Sequence, residues 1–228
     1  MKKRYPIIVL CLWFLAAACA PKEGIFRPAE PGKALFEKAE QKFDQSQYAE
    51  AQTLYRQYIQ KYPDTRRTPE ARLKLGMIRA AQKQFNPARE LYLEVIARHP
   101  GTSQAEAARI KTLETYVNQG YFQEAIHYRR QVPEDKLSPE TLFQADLLAG
   151  DAHMALEQYT QAYQVFMAAY QRAEPDARLK VADRLLAAIS GLDADYIRSE
   201  IERLEGTPPS GYLMYQQGLN AISERRVG

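Results

Sequence analysis

Cysteine is almost absent from the 228 residues: there are two, Cys11 and Cys19, both near the amino terminus. Cys11 lies within an opening apolar run that reads as an export signal, so the mature chain keeps one cysteine at most. That excludes an intramolecular disulfide and a thiolate metal cluster. Histidine is scarce too, with three residues, His99, His127 and His153, and neither an HExxH motif nor any ligand spacing among them. A nucleophile elbow, a phosphate loop and a dinucleotide fingerprint are also missing, which leaves no catalytic residue, cofactor or metal to predict. Asp151 and His153 are two positions apart, so on a helix they point in different directions and do not form a dyad. His99 stands at a helix carboxyl end, where a partial positive charge suits the dipole. An excess of one charge is lacking as well. Formal charge is +3, from 31 basic and 28 acidic side chains, but Lys2, Lys3 and Arg4 belong to the leader, and without them 28 face 28. Nucleic-acid binding needs clustered cations that release phosphate counterions, so it is not expected. The full chain is 46% hydrophobic, enough for a packed structure rather than a disordered one.

The leader has a basic start, an apolar run from Ile7 to Ala18, and then Ala16, Ala17 and Ala18 before Cys19. This resembles a bacterial lipoprotein signal, in which small residues seat the peptidase next to a thiol that carries diacylglycerol. Leu15 stands one place earlier than the leucine of the usual box. A secretory signal cut after Ala-x-Ala and a retained membrane anchor are the alternatives. The anchor is the weaker of these, because spanning a bilayer takes about 20 apolar residues and this run has 12. The expected organisation is a signal at 1–18, lipid on Cys19, and a tether at 19–33. Fully extended, residues 21–33 reach at most roughly 40 Å. Ala20, rather than the aspartate that resemblance associates with inner-membrane retention, points to the periplasmic face of the outer membrane.

Beyond Lys33 the apolar residues follow a 3.6-residue period, and no alternating run argues for a strand. An internal repeat stands out. Ala51, Ala88, Ala125 and Ala162 are each 37 residues apart, and three residues before each is an aromatic: Tyr48, Phe85, Phe122 and Tyr159. In a chain that is 11% aromatic, the last three matches have a chance of roughly one in a thousand. Twelve residues before each alanine stand Ala39, Gly76, Leu113 and Gly150, and four after it stand Tyr55, Tyr92, Arg129 and Phe166. Prolines follow the first two units, in Tyr62-Pro63-Asp64-Thr65 and His99-Pro100-Gly101-Thr102.

These residues resemble the tetratricopeptide repeat, in which small residues let two antiparallel helices approach and an aromatic covers their turn. The implied fold is all-α: a helix-pair solenoid of about four 37-residue repeats over 34–175, with further helices over 176–228. The third unit departs from the pattern. Leu113 takes a small-residue site, Arg129 takes an aromatic one, and Pro133 ends the second helix early, so irregular stacking is expected between Pro133 and Ser138. Most of the fifteen tyrosines fill repeat positions; Tyr58 and Tyr62 are less constrained and suit either core packing or a recognition surface.

Two apolar columns bear on function. Phe36, Leu73, Ile110 and Leu147 form one, and Phe43, Ala80, Val117 and Met154 the other. The resemblance implies that such positions face the concave groove. An apolar groove must be covered, either by the chain's own helices after Asp176 or by a partner segment. Near the end, the run SGYLMYQQGLNAISERR begins like another first helix, with Gly218 in the small position. The order of lipoprotein signal, tether, PGKALFEKAEQKFDQSQYAEAQTLYRQYIQKYPDT, repeats and PPSGYLMYQQGL is similar to the amino-terminal part of penicillin-binding-protein activator lipoproteins. Those continue into a receptor-like α/β domain, so the chain is either part of a longer protein or a stand-alone repeat lipoprotein. The resemblance implies an envelope scaffold for a partner such as a penicillin-binding protein. One alternative is a component of outer-membrane protein assembly, similar to its lipoprotein subunit BamD; an envelope hydrolase would need catalytic residues the chain does not supply.

Overall fold

A computed structural model describes residues 30–227, with side chains through residue 222; the signal and Cys19 lie outside these residues. Among the described residues there are eleven α-helices, one 3-10 turn and no strand. The first four pairs are α1 (Lys33–Asp44) with α2 (Tyr48–Lys61), α3 (Thr68–Ala81) with α4 (Phe85–Arg98), α5 (Ser103–Asn118) with α6 (Phe122–Gln131), and α7 (Pro139–Ala155) with α8 (Tyr159–Arg172). Then come α9 (Pro175–Ser190), α10 (Ala194–Arg203) and α11 (Pro208–Val227). Each helix packs on its sequence neighbour through α9, and α3, α5, α7 and α9 also pack in succession, which makes an all-α helix-pair solenoid.

The turn inside each pair is built the same way four times. Ser46, Lys83, Gly120 and Glu157, again 37 residues apart, have left-handed backbones with φ of 58°, 59°, 77° and 57°. The next residue in each case, Gln47, Gln84, Tyr121 or Gln158, donates its N–H at 2.9 Å to a carbonyl five residues back. This closes the first helix as a Schellman turn and points the chain back along it. The connections between pairs rely on caps and proline. The hydroxyls of Thr102 and Ser138 accept the N–H groups of Ala105 and Thr141. Pro69, Pro139 and Pro175 sit in the first turns of α3, α7 and α9, where no amide hydrogen is needed.

Small residues set the distance within pairs. A Cβ added to Gly76 would collide with the ring of Tyr92, and one added to Gly150 with the ring of Phe166. Ala39 lies fully buried with Tyr55 in the first unit. The third unit solves the same problem differently. Leu113 is buried and fills the space a ring would take, while Arg129, released from that seat, reaches across to Asp146. The irregularity at Pro133–Ser138 is a short α6, a 3-10 turn at Glu134–Lys136 and a fresh cap. It does not interrupt the array, because α5 packs directly on α7. Glu106 of α5 secures the restart: it accepts the Ser138 N–H at 2.6 Å, and hydrogen bonds from Ser138 and then Thr141 hold its carboxyl below the usual range.

The helices after Asp176 continue the core. Val181, Leu185, Ile189, Ile197, Leu204 and Leu213 share one cluster with Tyr163, Phe166 and Met167 of α8. Leu185 and Ile197 stand twelve apart, the spacing that Gly150 and Ala162 keep, which is why the repeat signature fades here while the packing persists. Glu200 adds a polar tie. It pairs with Arg203 at 2.6 Å and accepts the Tyr163 hydroxyl at 2.8 Å; those two partners, Arg203 foremost, hold its carboxyl below its ordinary value.

Candidate interaction surface

The residues expected to line a groove are packed between helices instead. Phe36, Leu73 and Ile110 are only 2%, 9% and 6% exposed. Phe36 stacks edge-on against Tyr55 and Tyr58, with the Arg67 guanidinium 5.0 Å from its ring centre. Leu73 meets Ala88, Tyr92, Val95 and Ala108, and Ile110 meets Leu113, Ala125 and Ala145. Phe43, Val117, Leu147 and Met154 are half-buried. Phe43 packs against the first-unit core, Val117 against that of the third, and Leu147 and Met154 against the α8–α9 core. Phe36, Leu73 and Ile110 are therefore inter-helix core, and Phe43, Val117, Leu147 and Met154 stand at its edge. Leu147 and Met154 are covered by the later helices, whereas Phe36, Leu73 and Ile110 are covered within and between units.

One residue further along each first helix the picture changes. Glu37, Lys74, Lys111 and Leu148 repeat at 37-residue intervals, as do Glu40, Met77, Glu114 and Asp151; Glu37 is exposed and the other seven are half-buried, Met77 and Leu148 against the clusters beneath them. Because α3, α5 and α7 pack in succession, the equivalent turns align into two rows along the array. Six of the eight are charged, and ion pairs knit the rows together. Lys74 meets Glu40 across α1 and α3 at 3.5 Å, Lys111 meets Glu114 at 2.7 Å, and Arg184 of α9 meets Asp151 of α7 at 2.8 Å. Lys74 also lies 4.4 Å from the Phe43 ring centre, and the buried Tyr55 hydroxyl donates to Glu40. Burial foremost, and then Glu40, push the Tyr55 phenol far above its ordinary pKa, so it remains a donor. Such a surface can recognise a protein segment of mixed charge without bond-making chemistry. Sequence reasoning missed it although the 37-residue period contains it.

Two recesses lie elsewhere on the described residues. Near α6, α7 and α8, a pocket of about 290 Å³ is lined by Arg129, Arg130, Asp146, His153, Gln164 and Arg172. Asp146 is held by Arg129 at 2.8 and 3.1 Å and by Arg172 at 2.8 Å. His153 hydrogen-bonds Gln158 through Nδ1 at 2.7 Å, and its burial lowers its pKa below the usual value. The second recess, about 730 Å³, lies between the two connectors that follow the first and second pairs, with Arg66, Arg67, Glu70 and His99 on its walls. Among the described residues no three His, Cys, Asp or Glu side chains converge as metal ligands. No helix among them is long and apolar enough to cross a membrane.

Residues 42–113 match the tetratricopeptide repeat family. Among solved structures, one described as MamA MSR-1 C2 is 17% identical with a TM-score of 0.51, covering 82% of this chain and 97% of that one. A tetratricopeptide repeat protein from Parabacteroides merdae ATCC 43184 is 19% identical with a TM-score of 0.52, covering 85% of this chain and 76% of that one. No curated protein matches. The fold is thus a helix-pair solenoid of the tetratricopeptide type, and repeats of this kind mark a scaffold for protein–protein interaction.

Proposed function

We propose that the chain is a lipid-anchored periplasmic scaffold, held on the outer membrane through Cys19, whose first-helix face binds a protein of cell-wall synthesis. The observation that carries the binding role is the double row of Glu37, Glu40, Lys74, Lys111, Glu114 and Asp151 along packed helices. A preformed charged face selects and orients a partner without folding on contact, and charge complementarity raises the encounter rate. Anchoring rests on the small residues before Cys19, and the partner class on the order of segments resembling penicillin-binding-protein activators. The test is affinity isolation of the tagged full chain from bacterial envelopes, beside a Glu37→Lys, Lys111→Glu double variant. A penicillin-binding protein recovered with wild type and lost with the variant supports the reading. Components of outer-membrane protein assembly in its place would move the chain to that machine, and equal capture by both forms would remove the face from the account.

A further inference from the structure

We propose that α11 is a self-association element, and that its open side takes α11 of a second copy of this chain. Large apolar side chains that stand together on an exposed helix side are ordinarily covered by a partner. One side of α11 is indeed buried, through Leu213 and Ser210. The other side presents Met214, Tyr215, Leu219 and Ile222 at 57%, 63%, 41% and 52% exposure, and among the described residues no helix covers it. This is the seat that second helices occupy in the earlier pairs. Gly76 and Gly150 receive the rings of Tyr92 and Phe166, whereas a Cβ added to Gly218 would meet nothing within 4 Å.

The sequence of α11 identifies the occupant. Second helices carry an aromatic, a small residue three later and a large one four beyond that, as in Phe85-Ala88-Tyr92 and Tyr159-Ala162-Phe166. On α11, Tyr215, Gly218 and Ile222 have the same spacing. One helix therefore holds both the hole of a first helix and the knob of a second. In an antiparallel pair related by a twofold axis, Ile222 of each copy fills the space over Gly218 of the other, which is the self-complementarity that an isologous contact requires. Charge agrees: positions 207–223 contain no ionisable acid or base except Tyr212 and Tyr215, so like charges do not oppose each other when identical faces meet. A single helix per copy buries less than the roughly 1,200 Å² of a stable complex, so the association is weak and concentration-dependent.

Sedimentation equilibrium of the full chain in density-matched detergent tests this. Wild type should pass from monomer towards dimer as concentration rises, and Gly218→Leu should weaken that association at least tenfold. Since Gly218 has open space around it and glycine disfavours helix, the same variant should melt no lower than wild type as a monomer. Ile222→Glu should also dissociate the dimer. A monomer at every concentration, or a dimer indifferent to Gly218→Leu and Ile222→Glu, would overturn the proposal and leave this side of α11 to a different helix.

Discussion

Tyr55 and Tyr92 occupy the same place in successive repeats, and both are fully buried, yet only one hydroxyl is satisfied. Tyr55 donates to Glu40, whereas the Tyr92 hydroxyl has no partner among the described residues. Removing a partnered hydroxyl costs about 1 kcal/mol, while removing an orphaned one is neutral or favourable. Thermal or urea melts should therefore show Tyr55→Phe destabilised by about 1 kcal/mol and Tyr92→Phe unchanged or slightly stabilised. Asp146 is the opposite kind of site, a buried carboxylate between two guanidinium groups. Asp146→Ala leaves Arg129, whose side chain is 12% exposed, without its buried partner. It should cost roughly 3 kcal/mol, and adding Arg129→Ala should cost less than the sum of the two single changes. His153 gives the molecule a pH dependence. Its folded pKa is lowered by burial, so the unfolded chain takes up the proton first. The stability it contributes is complete above its unfolded value of about 6.5 and is lost as pH falls from there through the folded value. Melting temperature measured between pH 8 and 5 should fall less in His153→Gln than in wild type.

The paired helices were legible because they rest on residue types that few other structures require at that spacing. An aromatic and an alanine recurring at 37 residues, with a glycine twelve before the alanine in two of the four units, point to close antiparallel packing, and Gly76 under Tyr92 and Gly150 under Phe166 supply it. Two features were not legible. The left-handed turn is held by Ser46, Lys83 and Glu157, whose identities do not announce a positive φ; only Gly120 does. Lys83→Gly should consequently stabilise the protein by up to about 1 kcal/mol in a urea melt, since relief of the left-handed backbone outweighs the added freedom of the unfolded chain. The burial of the groove columns was not legible either: Phe36, Leu73 and Ile110 are buried, and Phe43, Val117, Leu147 and Met154 are half-buried. Successive side chains turn 100° around a helix, so the step from Leu73 to Lys74, or from Ile110 to Lys111, goes from core to surface. Hydrophobicity alone finds the packed face, and the charged rows proposed for partner binding are found only by asking what stands next to it.

Across the described residues, the core from Phe36 to Leu213 falls into four clusters joined by α3, α5 and α7, each of which contributes to two of them, so the array is expected to hold its first-helix face rigid. Because that face is charged, partner capture should weaken as salt rises from 50 to 300 mM, over which the Debye length falls below about 10 Å. At the amino terminus, Cys19→Ala should leave an unprocessed, mislocalised precursor, whereas the wild-type protein should show acylation at Cys19 by mass spectrometry. The claim that function lies one residue away from the core is tested most directly by comparing Ile110→Glu with Lys111→Glu in a thermal melt run beside partner capture. Ile110→Glu places an unpaired carboxylate in the core and should lose roughly 3 kcal/mol or more. Lys111→Glu should melt within about 0.5 kcal/mol of wild type and lose the partner. A Lys111→Glu protein that captures its partner as well as wild type, or an Ile110→Glu protein that melts normally, would contradict the account.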